Sequence, residues 1–197
     1  MRRKDIPEQR KEQLINAAFE AIGDVGLSGV TIALVAAQAG LSTGIVSHYF
    51  GDKEGLLSAT MRKILRDLRD AVARCRDQAE SDVRSQLFAI IEGNFHPSQT
   101  NARSMRTWLD FWAASMHQAE LRRLQHANDR RLYTHLCYQF RRTLTKEAAR
   151  DAARGLAAMI DGLWLRGSLS GGDFNRQQAC QLACDYVEKV LAAPHIG

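Results

Sequence analysis

Residues 40–56 read GLSTGIVSHYFGDKEGL. Gly40 suits the left-handed conformation that closes a helix. Leu41 can plug the corner beneath the turn, and Ser42 is of the type that caps a new helix. The eight residues TGIVSHYF then make about two turns. Ile45, Val46 and Phe50 can pack, while Thr43, Gly44, Ser47, His48 and Tyr49 are small or able to hydrogen-bond. A helix made for a core would not carry a hydroxyl, an imidazole and a phenol in succession. Asp52 is placed to cap a further helix that opens on Lys53 and Glu54.

The residues before it complete a pattern. In GLSGVTIALVAAQAG (26–40), Thr31 is a good N-cap, and Ile32, Val35, Ala36 and Ala39 share one face of a short helix. A longer helix begins near Pro7 and Glu8, with Leu14, Ala17, Ala18, Ala21, Ile22 and Val25 as its buried stripe; Gly23 and Gly26 loosen its end. A short helix, an Ala-Gly-Leu-Ser turn and a second short helix together form the helix-turn-helix pattern. Such a second helix enters the major groove of DNA with its N-terminal residues toward the base edges. Ser42, Thr43, Gly44, Ser47, His48 and Tyr49 are the candidates for bases and nearby phosphates. Thr31 and Lys53, each at a helix start, are candidates for phosphate oxygens.

Charge gives this reading limited help. The formal net charge is +5, which suits an anionic partner. Residues 1–55 hold six Lys and Arg against seven Asp and Glu, whereas residues 56–197 hold 21 against 15. The positive groups of the N-terminal part are confined to an arm (Arg2, Arg3, Lys4, Arg10, Lys11) and to Lys53. The motif, rather than bulk charge, has to carry the case for DNA.

The remainder reads as a larger helical region. A fourth, arginine-rich helix runs to about residue 78, FHPSQTNAR (95–103) is a loop, and a long helix spans about 119–144. Thr145 caps a helix reaching about Leu169, and Asn175 starts the last, which ends before Pro194. The expected fold is all-α with about nine helices. Residues 1–52 form a three-helix DNA-binding domain, and residues 53–197 form a ligand-binding and dimerisation domain.

The aromatic residues of that second part suggest a cage for a cation. Trp108, Phe111 and Trp112 are spaced i, i+3, i+4 on one helix face; Asp161 and Trp164 lie three apart on another helix, with Tyr133 on the helix between. A quaternary ammonium cannot donate hydrogen bonds from nitrogen and is held by aromatic faces, with a carboxylate to balance it. A plain aromatic core has the same spacing. On the last two helices, Leu156, Met159, Leu163 and Gly167, then Leu182, Tyr186 and Val190, offer faces for a four-helix homodimer interface.

GLSTGIVSHYFGDKEGLL resembles the signature of the TetR family of transcriptional repressors: a glycine turn, a recognition helix ending in an aromatic pair, and a Lys-Glu-x-Leu start to helix four. The chain departs from it at Ser47, where the family often has tyrosine. MRTWLDFWAASMH, RRLQHANDRRLYTHLCYQFRR and AAMIDGLWLRGSLSGGDFNRQQA are similar to the choline-responsive BetI type. The resemblance implies a homodimer on palindromic operator DNA, with two recognition helices about 34–36 Å apart. It further implies repression of genes for choline uptake and for choline oxidation to glycine betaine, relieved by choline as effector, with no cofactor. The alternative within the family is another cationic or lipophilic effector.

A helical enzyme is the rival from another class. The chain has no glycine-rich phosphate loop after a strand, no metal-ligand cluster and no nucleophile with an evident base, so no catalytic or metal residue is assigned. Cys75, Cys137, Cys180 and Cys184 read as small thiols in a reducing compartment. No apolar run approaches the roughly 18 residues needed to span a bilayer, and the start is not a secretory signal. The expected location is the cytoplasm.

Overall fold

A computed structural model of the chain describes residues 5–170 and 174–193. Arg2, Arg3 and Lys4 of the basic arm lie outside the described residues. So do residues 171–173 of the SGGDFN turn. The described residues form ten helices: α1 (Asp5–Gly29), α2 (Ile32–Gln38), α3 (Thr43–Phe50), α4 (Lys53–Gln78), α5 (Val83–Asn94), α6 (Pro97–Thr100), α7 (Ala102–Ser115), α8 (Ala119–Phe140), α9 (Lys146–Leu169) and α10 (Arg176–Ala192). No strand occurs among them.

Two compact units share these helices. One comprises the chain up to Leu65 together with Arg106–Gln125; the other comprises Arg66–Met105 and the chain from His126 onward. Helices α4, α7 and α8 therefore each contribute residues to both.

In the first unit α1 packs on α2, and α2 on α3. Leu14, Ala18, Ala21, Ile22, Val30, Val35, Ala36 and Val46 are almost wholly buried and form the small core. Val25, expected in that stripe, is instead 52% exposed. The chain leaves the helical conformation at Gly26 (φ 73°, ψ 161°), so the residues that follow do not continue the buried stripe past Ile22. The turn after α2 is built as expected. Gly40 sits at φ +65°, and the N–H groups of Gly40 and Leu41 donate to the carbonyls of Ala37 and Ala36 at 3.1 and 2.9 Å.

The caps differ in detail. Thr31 Oγ1 accepts from Leu34 N at 3.1 Å, and Asp52 Oδ1 accepts from Gly55 N at 2.8 Å. Ser42 holds the N-cap position of α3, but its hydroxyl makes no cap bond. Its own backbone carbonyl accepts from Ile45 N at 3.1 Å.

In the second unit α10 packs on both α5 and α9. The core contains Leu87, Ile90, Ile91, Phe95, Leu136, Phe140, Leu156, Ile160, Ala183 and Val187. Long-range polar contacts close it. Trp164 Nε1 donates to Asn94 O at 3.3 Å, Arg176 Nε to Phe95 O at 2.7 Å, and Tyr186 Oη to Ala152 O at 3.3 Å. Two features differ from the sequence reading. The stretch 95–103, read as a loop, contains the single turn α6, because Pro97 is preset for a first helical position and His96 Nδ1 accepts from Ser98 N at 3.2 Å. Helix α8 ends at Phe140 rather than near residue 144, since the N–H groups of Arg142 and Thr143 turn to the carbonyls three residues back.

Candidate nucleic-acid interface and effector-binding residues

Helix α3 is anchored from one side. Val46 is fully buried, while Ile45 and Phe50 are partly covered. Ser42, Thr43, Gly44, Ser47 and His48 are exposed, and Tyr49 is half-buried. The rings of His48 and Tyr49 meet edge to face at 5.2 Å between centroids, and Tyr49 meets Phe50 in the same way at 6.3 Å. Phe50 thus links this aromatic pair to the packed side of the helix. The expected row of polar groups lies together on an open surface, with one change of emphasis: Tyr49 is partly braced rather than freely projecting.

The helix starts on either side carry the remaining candidates. Thr31 is exposed and its oxygen accepts the cap bond, which leaves the hydroxyl hydrogen able to donate to an anion. Lys53 is half-buried as the first residue of α4, where unpaired backbone N–H groups add partial positive charge. The start of α4 comes very close to the end of α3. A Cβ on Gly55 would lie 2.0 Å from Phe50 O, so only glycine permits this approach.

Sequence reasoning missed what ties α7 to this unit. Asp110 Oδ2 accepts from Leu27 N at 2.7 Å, taking the backbone donor released where α1 breaks at Gly26. Arg62 of α4 pairs with Glu120 of α8, which also holds Arg123 at 2.6 Å. Arg122 donates to the carbonyls of Ser115 and Met116 at 3.2 and 2.6 Å, closing the end of α7. The contact between Leu27 and Asp110 spans 83 residues, and no local pattern announces it.

The expected cage residues are distributed as follows. In the first unit Trp108 and Phe111 are buried, and Trp112 is half-buried with its ring 6.3 Å from that of Trp108. In the second unit Trp164 is buried and stacks on Phe174 at 6.3 Å, and Phe174 reaches Phe95 at 5.9 Å. The Trp164 indole is therefore occupied by its own aromatic cluster. Tyr133 is half-buried, with the Arg154 guanidinium 6.0 Å above its ring, so its π face already takes a cation.

Asp161 lies on the exposed side of α9, yet enough protein surrounds its carboxyl to push it up to about 6. Desolvation is the larger cause, and the Asp129 carboxylate adds repulsion. No cation among the described residues offsets these.

Among the described residues no group of three or more His, Cys, Asp or Glu could hold a metal ion. No helix among them is long and apolar enough to cross a membrane.

An all-helical chain with a capped helix-turn-helix head and a second helical unit is built as a DNA-binding regulator. Comparison with known proteins gives the family. Residues 14–60 match the bacterial regulatory proteins of the tetR family, and residues 83–192 match the C-terminal domain of the BetI-type transcriptional repressor. The HTH-type transcriptional regulator BetI of Stenotrophomonas maltophilia is 58% identical over 98% of each chain. A solved transcriptional regulator of Pseudomonas aeruginosa PAO1 is 28% identical with a TM-score of 0.78, covering 96% of this chain and 93% of its own. A regulator of Saccharomonospora viridis, solved in complex with choline, shares the fold at 20% identity and a TM-score of 0.79, covering 92% and 96%. The chain belongs to the TetR family, with a C-terminal domain of the BetI type: it is a transcriptional regulator and not an enzyme.

Proposed function

We propose that this regulator represses genes for choline uptake and for oxidation of choline to glycine betaine, and that choline relieves the repression. It acts in the cytoplasm as a C2 homodimer on a palindromic operator. Residues 1–52 contact DNA, and residues 53–197 sense ligand and dimerise. The observation that carries the DNA-binding part is the open polar row on α3, held from behind by Val46 between capped helix starts. In this reading Ser42, Thr43, Gly44, Ser47, His48 and Tyr49 face the groove, and Thr31 and Lys53 hold phosphates. Because the head is not net basic, with six Lys and Arg against seven Asp and Glu in residues 1–55, affinity depends on these placed contacts and on two heads binding together.

The choline part is supported by the BetI relatives. Asp161 is the residue suited to the ammonium. A cation settling against this carboxylate would offset both its desolvation and the repulsion from Asp129. Ligand would favour a conformer in which the two heads no longer fit their half-sites at once.

The test is footprinting and fluorescence anisotropy on the protein's own upstream DNA, with and without choline. Lys53→Ala and Tyr49→Ala should each weaken operator binding by about tenfold while the dimer survives sizing chromatography. Choline should lower operator affinity, and Asp161→Ala should blunt that response. A choline titration that leaves the DNA-binding curve flat removes choline as the effector but leaves the DNA reading standing.

A further inference from the structure

The second unit contains a small cavity, about 70 Å³, bounded by α4, α5 and α8. Its apolar wall consists of Leu68, Val72, Ile90 and Leu132, of which the first three are buried. Its polar side consists of Arg69, Arg76, Arg131 and His135, with the amides of Asn94 and Asn128. None of the lining side chains is a carboxylate, and none carries a phenyl, phenol or indole ring. A bare quaternary ammonium finds here neither the π face nor the negative charge that would hold it.

The arginines are steadied but not used up. Arg131 Nη2 donates to Asn128 Oδ1 at 2.8 Å, and Arg76 Nε donates to Gln86 Oε1 at 3.1 Å. A guanidinium carries five N–H donors, so one bond each leaves several for a ligand. Arg69 is paired with the neighbouring Asp70 at 2.9 Å, in a pair about half exposed to screening solvent, and the same carboxylate offsets part of the charge on Arg131. The crowding of positive charge is visible in its effects. Burial first, and then the Arg69 guanidinium, lower the proton affinity of Arg131 against the opposing pull of Asp70; burial first, and then Arg76 and Arg131, hold His135 below its ordinary range. Such a group of guanidiniums, with Arg131 partly desolvated, is stabilised by a negative ligand.

We propose that this cavity binds a small organic anion, a carboxylate or phosphate ester whose short apolar body lies on Leu68, Val72, Ile90 and Leu132 and whose charged head is forked by Arg76 and Arg131. This is a ligand class distinct from the quaternary ammonium, and it gives the regulator a second chemical input.

Calorimetry on the full-length dimer at constant ionic strength tests it, with propionate and methyl phosphate as anions and tetramethylammonium as the cation of similar bulk. Both anions should bind, and tetramethylammonium should not displace them. Arg131→Gln and Arg76→Gln should each weaken anion binding about tenfold or more. Arg131→Lys, which keeps the charge but loses the fork, should fall between. Arg150→Gln, on another basic face of the same unit, should leave the affinity unchanged. Circular dichroism melts of each variant separate lost binding from lost folding, and Ile90→Met gives a second, volume-conserving probe of the apolar wall. The proposal fails if neither anion gives heat, if Arg150→Gln weakens binding as much as Arg131→Gln, or if tetramethylammonium competes with the anions. Choline-driven operator release is measured in parallel on wild type and Arg131→Gln. If anions bind and choline releases nothing, the choline reading fails and this one stands. If Arg131→Gln abolishes choline release while no anion binds, the cavity is the choline site and this one fails.

Discussion

In the head, the side chains that finish the helices come from three residues away: Thr31 serves Leu34, and Asp52 serves Gly55. In the second unit the deciding contacts come from far along the chain. Trp164 reaches back 70 residues to Asn94, and Arg176 reaches back 81 to Phe95. The head is thus assembled from local instructions, each worth about 1 kcal/mol. The second unit depends on burying aromatic and aliphatic bulk against distant helices, where single residues carry several times more. Local instruction and long-range burial should therefore fail in different ways when mutated.

The largest contrast should come from Phe140, which is fully buried in the second unit. Phe140→Ala should destabilise the protein by about 3–5 kcal/mol in urea unfolding. A loss below 1 kcal/mol would show that this core repacks easily and would erase the contrast. Next comes a long-range contact of the head, between Leu27 and Asp110. Asp110→Ala strips the acceptor from Leu27 N and should cost about 1–3 kcal/mol. Because the bond anchors the end of α1, hydrogen exchange at Leu27 should rise in the variant.

The local caps sharpen the comparison on a smaller scale. Thr31→Ala should cost about 1 kcal/mol. Ser42→Ala should stay within about 0.5 kcal/mol, because the Ser42 hydroxyl makes no cap bond. Equal losses for the two would mean that Ser42 caps α3 in solution. If Ser42→Ala is thermally silent yet weakens operator binding, the serine is kept for DNA.

The pH dependence of Asp161 should be modest, because the residue lies on the exposed side of α9 and solvent screens part of the shift. Its carboxyl titrates near 6 in the folded chain, above the ordinary aspartate value, so the folded state holds this proton more tightly than the unfolded state. The stability it contributes is fully present below the unfolded value. It declines as pH rises through about 6 and is constant beyond. Asp161→Asn should flatten that decline, so the variant should gain on wild type at pH 7 and not at pH 4. Unfolding midpoints across this range give the answer.

Much of the head was readable from residue types and spacing. Gly40, Thr31 and Asp52 occupy the positions their chemistry requires, because turns and caps are closed by atoms within a few residues. Val25 was misplaced in the buried stripe because periodicity gives the face of a helix but not the point at which Gly26 breaks it. The aromatic residues were harder. Trp108, Phe111 and Trp164 have the spacing of a cage wall, yet all three are buried, Trp164 against Phe174. The arginines of α4 stood out as a composition, but nothing local said that Arg69 and Arg76 share a cavity with Arg131 of α8.

By itself, then, the sequence determined the all-helical class, the helix-turn-helix with Thr31 and Asp52 as caps on either side of it, and the polar row on α3 that ends at the half-buried Tyr49. Each depends on hydrogen bonds and side-chain periodicities that operate within about two helical turns. Only the tertiary structure decided which aromatics are core, which carboxylate is desolvated and which arginines converge. Those outcomes depend on which distant helix covers a given face, and burial and the field of neighbouring charges exist only once that helix has packed.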